Sequence, residues 1–272
     1  MSFKENKDAF VVGDNVSKSL SPTIFKYWFS KYKILSNYTF LETNKNKAKE
    51  EILLKLKNKN IRGFNVTIPF KEFLLDFVHS LDPDAASIGA VNCVSIKNEQ
   101  IFGQNTDWTG FLKTLNRAGF ETNKNKSAAI IGFGGAAKAI LYGLLKTDLQ
   151  SVYIFNRTNL EKRGLLEDNK ITLLSLNDLT KHLNDVSLII NTIPINCLKG
   201  FNKNKLPSNK TIVDIVYSPK ETDFLKSFNS SNKKIYGIDM LVFQAAESFK
   251  LWYGFLPEAD QELFTLLEKK IK

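Results

Sequence analysis

The chain has 272 residues, of which 43% are hydrophobic and 24% charged, and its formal net charge is +10. These values are typical of a globular protein with one or two domains. No apolar run approaches the roughly 20 residues that span a bilayer, and residues 1–8 lack the apolar core of a signal peptide, so we expect a cytoplasmic protein.

Cysteine, histidine and lysine usage argues against several kinds of site. Cys93 and Cys197 are far apart, and neither His79 nor His182 has a histidine or cysteine at i+3 or i+4. A disulfide framework or a zinc site is therefore not expected, and we predict no metal. The lysines are scattered along the chain, whereas nucleic-acid binding favours basic residues gathered on one face. The positive charge could instead steer anionic ligands.

The first third of the chain alternates β-prone runs with amphipathic segments. Strands are predicted at 9–13, 38–41 and 61–67, and helices are predicted to begin at Ser21, to cover 45–57 and to begin at Pro69. These assignments follow from apolar periodicity. Alternation of this kind implies parallel strands joined by right-handed crossovers.

Polar residues stand at the predicted strand–helix junctions. Ser21 followed by Pro22 is typical of an N-cap followed by the first helical residue, so capping alone could explain Ser21. Ser19 has no such explanation, because it follows the first strand at the end where α/β folds bind ligands. Thr67 and Lys71 lie at the next junction, on the same side of the sheet.

A hairpin and a second α/β region complete the chain. Residues 90–96 and 100–103 flank a short polar turn and predict the hairpin, and we place the domain boundary near residue 103. A helix with Phe111, Leu112 and Leu115 ends at Gly119. The later strands are predicted at 128–132, 151–155, 171–174, 186–190, 211–216 and 234–237, and the last helices at 239–253 and 258–271.

The run from Ala128 to Ile140 predicts an anion-binding turn. An apolar strand enters Gly132-Phe133-Gly134-Gly135-Ala136-Ala137, and a helix begins at once. Gly132 allows the tight turn, and the next glycines let backbone N–H groups approach a pyrophosphate at the positive end of the helix dipole. The spacing departs from G-x-G-x-x-G, so an ordinary strand–turn–helix junction is the alternative.

The strand that follows indicates which dinucleotide would bind. It ends at Asn156-Arg157-Thr158, where an NAD site would carry an acidic residue for the ribose 2′-hydroxyl. Arg157 is a planar cation that suits a 2′-phosphate. The residues therefore favour NADP over NAD, with a solvated surface arginine as the alternative.

Nine short segments, taken in their order along the chain, resemble the shikimate dehydrogenase family, and the resemblance covers residues 9–258. Besides the glycine turn and Asn156-Arg157-Thr158, they are Ser19-Leu20-Ser21-Pro22, Asn65-Val66-Thr67-Ile68-Pro69-Phe70-Lys71, Gly89-Ala90-Val91-Asn92, Asn105-Thr106-Asp107-Trp108-Thr109-Gly110, Asn191-Thr192-Ile193-Pro194, Asp214-Ile215-Val216-Tyr217-Ser218-Pro219 and the run from Gly237 to Ala246.

The resemblance implies NADP-dependent interconversion of 3-dehydroshikimate and shikimate on the route to aromatic amino acids. It implies an N-terminal, mostly parallel α/β substrate domain and a Rossmann-like, doubly wound NADP domain, with the active site in the cleft between them. The corresponding ranges are 1–103 for the substrate domain, 104–237 for the NADP domain and 238–272 for C-terminal helices that return to the first domain. The protein is expected to be a monomer or a homodimer.

The resemblance also assigns roles to residues. Lys71 and Asp107 would be the catalytic acid–base pair. Ser19 and Ser21 would bind the substrate carboxylate, and further substrate contacts would come from Thr67, Asn92, Tyr217 and Gln244. The cofactor would contact Gly132, Phe133, Gly134, Gly135, Ala136, Ala137, Asn156, Arg157 and Thr158, with Ile215 and Gly237 near the nicotinamide. Departures from the family pattern are Phe133, Cys93, Asn196 and Cys197.

Three other hypotheses are open. A quinate or broader polyol dehydrogenase is a close variant, although Ser21 and Arg157 argue against it. A catalytically silent, ligand-binding member of the fold is a second, because fold alone does not establish activity. Nucleic-acid binding driven by the net charge is a third, for which a steep salt dependence of binding would be the test.

Overall fold

The computed structural model describes residues 7–271, and most of the segment used for the export prediction lies outside that range. The chain forms two compact units. The first contains residues up to Thr106 together with Gln244–Leu267, and the second contains Asp107–Phe243 and the residues after Leu267. The three domain ranges inferred from the sequence stay a prediction. None of the helices in residues 7–271 has the length and apolarity needed to cross a bilayer.

The elements of the first unit alternate as predicted up to the third strand. They are β1 (Asp8–Gly13), α1 (Ser21–Lys31), β2 (Tyr38–Glu42), α2 (Ala48–Leu56), β3 (Ile61–Val66), β4 (Ser80–Leu81), α3 (Pro83–Ile88), β5 (Cys93–Lys97) and β6 (Gln100–Gln104). The two-residue strand β4 was not predicted.

The second unit begins with a helix and continues as a parallel α/β region. Its elements, followed by the last two helices of the chain, are α4 (Asp107–Arg117), β7 (Ser127–Ile131), α5 (Gly135–Leu145), β8 (Ser151–Asn156), β9 (Ile171–Ser175), α6 (Leu179–His182), β10 (Leu188–Asn191), β11 (Thr211–Asp214), β12 (Lys233–Tyr236), α7 (Gly237–Tyr253) and α8 (Gln261–Glu268).

The sheet of the first unit has the order β2-β1-β3-β5-β6-β4. β1 is parallel to β2 and β3, and Val12 is opposite Leu41 and Val66. β5 is antiparallel to both β3 and β6, which confirms the predicted hairpin. Parallel β1 and β3 place the loops that follow them at the same edge of the sheet.

The C-terminal part of α7 packs on this sheet through a glycine. A Cβ on Gly63 would lie 2.4 Å from Nε1 of Trp252 and 2.2 Å from the carbonyl oxygen of Val94. The indole of Trp252 donates to that carbonyl at 3.1 Å. On the same helix, Phe249 packs against Phe25 of α1, with ring centroids 5.9 Å apart. A side chain at position 63 would therefore displace α7 from the sheet.

The sheet of the second unit has the order β9-β8-β7-β10-β11-β12, and all of its strand pairs are parallel. Renumbered within the unit, this is the 3-2-1-4-5-6 order of doubly wound dinucleotide-binding folds. The order reverses between β7 and β10, and ligands of such folds bind beyond the carboxyl ends of the strands at this point. The predicted fold class is confirmed.

One predicted helix of the first unit is wrong. Instead of a helix from Pro69 through Phe77, the structure has a four-residue 3-10 helix at Phe73–Asp76. The carbonyl oxygen of Lys71 accepts from the N–H of Val91 at 2.8 Å, and the N–H of Leu75 turns to Glu72 instead. The tertiary hydrogen bond thus removes an acceptor that an α-helix would need.

The helices of the second unit are shorter than a regular β–α alternation predicts. The connection from β8 to β9 contains only a 3-10 turn at Gly164–Glu167. The four-residue helix α6 is extended by 3-10 turns at both ends. Between β11 and β12 there is again a 3-10 turn, Leu225–Ser227. Among these strand-to-strand connections, only the one from β7 to β8 carries a helix of several turns, α5.

Candidate active site

The loops after β1 and β3 contact each other at the carboxyl edge of the first sheet. A Cβ on Gly13 would lie 2.5 Å from Cγ2 of Thr67, so the two loops touch only because residue 13 is glycine. The N–H of Asp14 donates to the carbonyl oxygen of Ile68 at 3.3 Å. The structure therefore brings Thr67 next to the loop that leads to Ser19 and Ser21.

The predicted N-cap of α1, Ser21, is wrong by one residue. Ser21 is the first helical residue, and Leu20 at the N-cap makes no side-chain cap hydrogen bond. The hydroxyl of Ser19 accepts the N–H of Ser21 at 3.2 Å. A local hydrogen bond to the first helical residue thus accounts for Ser19, for which the sequence suggested no capping role. Capping does not account for Ser21, whose side chain is buried.

Asn92 and Gln244 meet in the first unit, although they are far apart in sequence. Nδ2 of Asn92 donates to Oε1 of Gln244 at 3.3 Å and to Oγ1 of Thr106 at 3.0 Å. Oδ1 of Asn92 accepts the backbone N–H of Thr106 at 2.6 Å. Two of the substrate contacts implied by the family resemblance are therefore in direct contact with each other.

A second buried asparagine, Asn65, continues this cluster toward α1. Its Oδ1 accepts from the Tyr38 hydroxyl at 2.8 Å, and its Nδ2 donates to Oγ of Ser248 at 2.8 Å and to the carbonyl of Asn92 at 3.2 Å. Burial raises the pKa of Tyr38 well above its usual value, which keeps the phenol protonated, and a hydrogen bond with Ser21 opposes this shift.

The buried polar cluster therefore contains residues that sequence reasoning missed. They are Tyr38, Asn65, Thr106 and Ser248, and all four are buried. Buried polar side chains need partners, so a polar residue within an apolar run is the available signal. Asn65 between Phe64 and Val66 carries that signal. Tyr38 does not, because tyrosine is ordinary in a strand.

The two predicted acid–base residues belong to different units. Lys71 is half-buried in the loop after β3, and its backbone is fixed to Val91 by the hydrogen bond already described. Asp107 is 4% exposed and begins α4, the first helix of the second unit. Their pairing stays a prediction.

The glycine turn of the second unit follows β7, next to the reversal of strand order. Gly132 has a φ of +94°, and a Cβ there would lie 2.5 Å from Cγ2 of Ile193 and 2.8 Å from Oγ1 of Thr192. The N–H of Gly132 donates to the carbonyl of Phe155 at 2.8 Å. Glycine is thus needed both for the backbone conformation and for the close approach of the neighbouring loop.

Gly134 differs from Gly132 in what surrounds it. It is the N-cap of α5, and a Cβ built on it would meet no atom of residues 7–271 within 4 Å. Glycine has no side chain that could occupy the N–H groups of the first turn, which begins at Gly135. The open backbone at a helix N-terminus fits a pyrophosphate, because those N–H groups and the helix dipole favour an anion.

The predicted ribose end is organised by Asn156, the last residue of β8. Its Nδ2 donates to the carbonyl oxygen of Thr158 at 2.9 Å and to Oγ1 of Thr158 at 3.0 Å. The two bonds close a tight loop around the intervening Arg157, which is exposed. An exposed guanidinium beside the glycine-turn strand suits a 2′-phosphate, so the residues here fit NADP.

The predicted nicotinamide end depends on Asp214, which sequence reasoning did not single out. Its carboxylate accepts from Nδ2 of Asn191 at 3.1 Å, the N–H of Val216 at 3.0 Å and the hydroxyl of Thr222 at 2.6 Å. Burial raises the pKa of Asp214, and these three hydrogen bonds oppose the shift. Asp214 thereby fixes the start of the loop that carries Ile215 and Tyr217.

Gly237 also packs against the segment after β11. A Cβ on Gly237 would lie 2.4 Å from the carbonyl oxygen of Ile215 and 2.7 Å from that of Val216. The N-terminal residue of α7 thus lies directly on the segment after β11. The structure brings Ile215 and Gly237 together, and their place near the nicotinamide stays a prediction.

The departures from the family pattern are accommodated locally. Phe133 is half-buried against the core of the second unit, with Nζ of Lys138 5.9 Å from its ring centroid. Cys93 is fully buried in β5. Nδ2 of Asn196 donates to the carbonyl oxygen of Asp223 at 3.1 Å, and burial raises the pKa of the Cys197 thiol to about 11.

Comparison with known proteins places the chain in a family. The model of the shikimate dehydrogenase substrate binding domain matches residues 11–94, and that of shikimate / quinate 5-dehydrogenase matches residues 114–217. Shikimate dehydrogenase (NADP(+)) of Pelagibacter ubique is 32% identical over 96% of this chain and 99% of the relative.

Solved structures agree with this placement. Shikimate dehydrogenase of Aquifex aeolicus has a TM-score of 0.82 at 30% identity and covers 97% of both chains. Shikimate 5-dehydrogenase of Thermus thermophilus, solved in complex with NADP(H) and shikimate, has a TM-score of 0.84 at 28% identity, over 97% of this chain and 100% of that one. The chain belongs to the shikimate dehydrogenase family.

Proposed function

We propose that this chain catalyses the reversible, NADP-dependent reduction of 3-dehydroshikimate to shikimate, a step in aromatic amino acid biosynthesis. The observation that carries the proposal is the match, over nearly the whole chain, to a protein solved with both NADP(H) and shikimate. Two features of the structure add local support. One is the open glycine turn beside the exposed Arg157, and the other is the buried amide cluster around Asn92 and Gln244.

The substrate is a hydroxylated ring with one carboxylate, and the proposed ligands match these groups. Ser19 and Ser21 follow β1 and bind the carboxylate through their hydroxyls. Thr67, Asn92, Gln244 and Tyr217 bind the ring hydroxyls, because amides and hydroxyls can both donate to and accept from an alcohol. A site that hydrogen-bonds each hydroxyl rejects analogues that lack one, since its own polar groups would then be unpaired.

Lys71 donates and accepts the proton of the reaction. The chemistry that NADPH supplies when bound is a hydride for the carbonyl carbon of the substrate. As the C=O bond becomes a C–O bond, the Lys71 ammonium donates a proton to that oxygen, and in the reverse direction the Lys71 amine accepts it. Asp107 is the second member of the pair. It orients the lysine and binds the adjacent hydroxyl.

Steady-state kinetics test the proposal. Purified protein is mixed with shikimate or quinate, each with NADP+ or NAD+, and the absorbance of reduced nicotinamide is followed. We expect the highest kcat/KM for shikimate with NADP+. A higher kcat/KM for quinate with NAD+ would support the quinate alternative, and no turnover with any pair would support a silent, ligand-binding protein. The cytoplasmic location and the monomeric or dimeric state stay predictions.

A further inference from the structure

α7 carries a buried serine, Ser248, that has no place in the predicted site. Its side chain is 0% exposed and lies one turn after Gln244. The Ser248 hydroxyl donates to the carbonyl oxygen of Gln244 at 3.1 Å and accepts from Nδ2 of Asn65 at 2.8 Å. Its Oγ also lies 3.2 Å from Oγ1 of Thr106. A hydroxyl has one hydrogen and two lone pairs, so these three partners fill its capacity.

The partners of Ser248 belong to three different segments of the first unit. Asn65 is in β3, Thr106 follows β6, and Gln244 is on α7 itself. Each of these partners also contacts Asn92. Nδ2 of Asn65 donates to the backbone carbonyl of Asn92, while Thr106, through its N–H and hydroxyl, and Gln244, through its side-chain oxygen, contact the Asn92 side chain. Ser248 is therefore one hydrogen bond away from Thr106 and Gln244, two residues that hold the Asn92 side chain.

Loss of the Ser248 hydroxyl would remove some of the hydrogen bonds in this cluster and leave others in place. Nδ2 of Asn65 would keep only the carbonyl oxygen of Asn92, at 3.2 Å. The hydroxyl of Thr106 would turn to Oδ1 of Asn92, 3.3 Å away. Inside a protein, an amide that loses a partner moves to find another, because an unpaired buried polar group is costly. Asn92 and Gln244 would then no longer share one fixed orientation.

We propose that Ser248 is a positioning residue for the substrate ring. It does not touch the substrate; it holds Asn65 and Thr106 so that the amides of Asn92 and Gln244 face the ring hydroxyls in one orientation. This inference rests on the proposed function, since it assigns Ser248 a part in binding the same substrate. A purely structural serine would stabilise the fold and leave substrate affinity alone.

The test compares Ser248→Ala with a matched control, Ser227→Ala. Ser227 is a buried serine, 4% exposed, whose hydroxyl also donates to the carbonyl four residues earlier, Asp223, at 2.9 Å. We expect Ser248→Ala to raise the KM for shikimate about tenfold, which is the typical effect of a buried group that loses its hydrogen bond. The KM for NADP+ should change less than twofold, and Ser227→Ala should leave the KM for shikimate within twofold.

A second variant keeps the test decisive if Ser248→Ala folds poorly. Thr106→Val removes the partner hydroxyl at constant shape and should also raise the KM for shikimate. Because both changes break the same cluster, their effects in the double variant should be less than multiplicative. Unchanged KM for shikimate in both single variants, or equal rises in the KM for both substrates, would overturn the inference. Absence of wild-type turnover of shikimate would instead overturn the proposed function, and the inference with it.

Discussion

The two units build their sites from different parts of the chain. In the second unit the predicted anion site is made by backbone: a run of six residues from Gly132 supplies the turn, the open N–H groups and the helix start. In the first unit the buried cluster is made by side chains from β2, β3, the segment before β5, the segment after β6 and α7. The first kind of site is local in sequence and the second is not.

This difference follows from the chemistry of the ligands. A pyrophosphate is a compact anion, and consecutive N–H groups at one helix end suffice to hold it. A ring with several hydroxyls needs donors and acceptors in several directions, which no single turn can offer. The first unit must therefore bring distant polar residues together and bury them, and each buried group must find partners within the protein.

The largest effect is expected at Lys71, which tests whether the first unit contributes chemistry as well as binding. Lys71→Ala should lower kcat about 100-fold or more, because general acid–base help is lost, and should largely keep the KM for NADP+. Steady-state kinetics in both directions measure this. Lys97→Ala, at an exposed position in the same unit, is the control for charge alone. Unchanged turnover in Lys71→Ala would remove Lys71 from the mechanism.

A pair of glycine substitutions tests whether the second unit relies on its backbone. Gly132→Ala places a side chain at a positive φ and against Ile193, so it should lower the melting temperature of the free protein by about 4 °C or more. Gly134→Ala meets open space in the free protein and should leave that temperature within about 1 °C. It should nevertheless weaken NADP+ binding about tenfold, because its methyl group would lie where the pyrophosphate approaches.

Thermal scans without ligand and titration with NADP+ separate the two glycine effects. If Gly134→Ala bound NADP+ as tightly as the wild type, the open backbone would not be the anion site. If Gly132→Ala kept the wild-type melting temperature, the close approach of the loop around Ile193 would have no energetic consequence.

Arg157 tests the one side chain on which the cofactor choice is predicted to depend. Arg157→Ala should lower kcat/KM for NADP+ about tenfold and leave that for NAD+ within twofold, because only NADP carries the 2′-phosphate that pairs with a guanidinium. Arg163→Ala, which removes another exposed arginine, is the control. An equal loss in both variants would mean that general positive charge, rather than Arg157, attracts the cofactor.

The smallest effect is expected at Cys197, a departure from the family pattern in the second unit. With its thiol pKa raised to about 11 by burial, only about 0.1% of it is ionised at pH 8, so it should react slowly with a disulfide reagent until the protein unfolds. Cys197→Ser should keep the KM for NADP+ within twofold. Fast labelling of one thiol in the folded protein, abolished in Cys197→Ser, would contradict this.

Much of the fold could be predicted because it rests on local signals. The strand at 151–155, the helix ended by Gly119 and the hairpin around residues 97–99 are each encoded by a short pattern, and the structure confirms them within a few residues. The predicted helix from Pro69 failed for a reason that lies elsewhere in the chain: Val91 takes the carbonyl of Lys71. No window around Pro69 contains that information.

The sequence by itself determined the glycine turn, the cationic strand tip at Arg157 and the alternation that leads to a doubly wound sheet, because glycine conformation, fixed charge and apolar period act over a few residues. Only the tertiary structure decided that Asn65, Thr106 and Ser248 form one buried cluster with Asn92 and Gln244. Such a cluster depends on which strands pair and on how α7 packs against them. Hydrogen bonds between distant segments produce no regular spacing of residues from which they could be predicted.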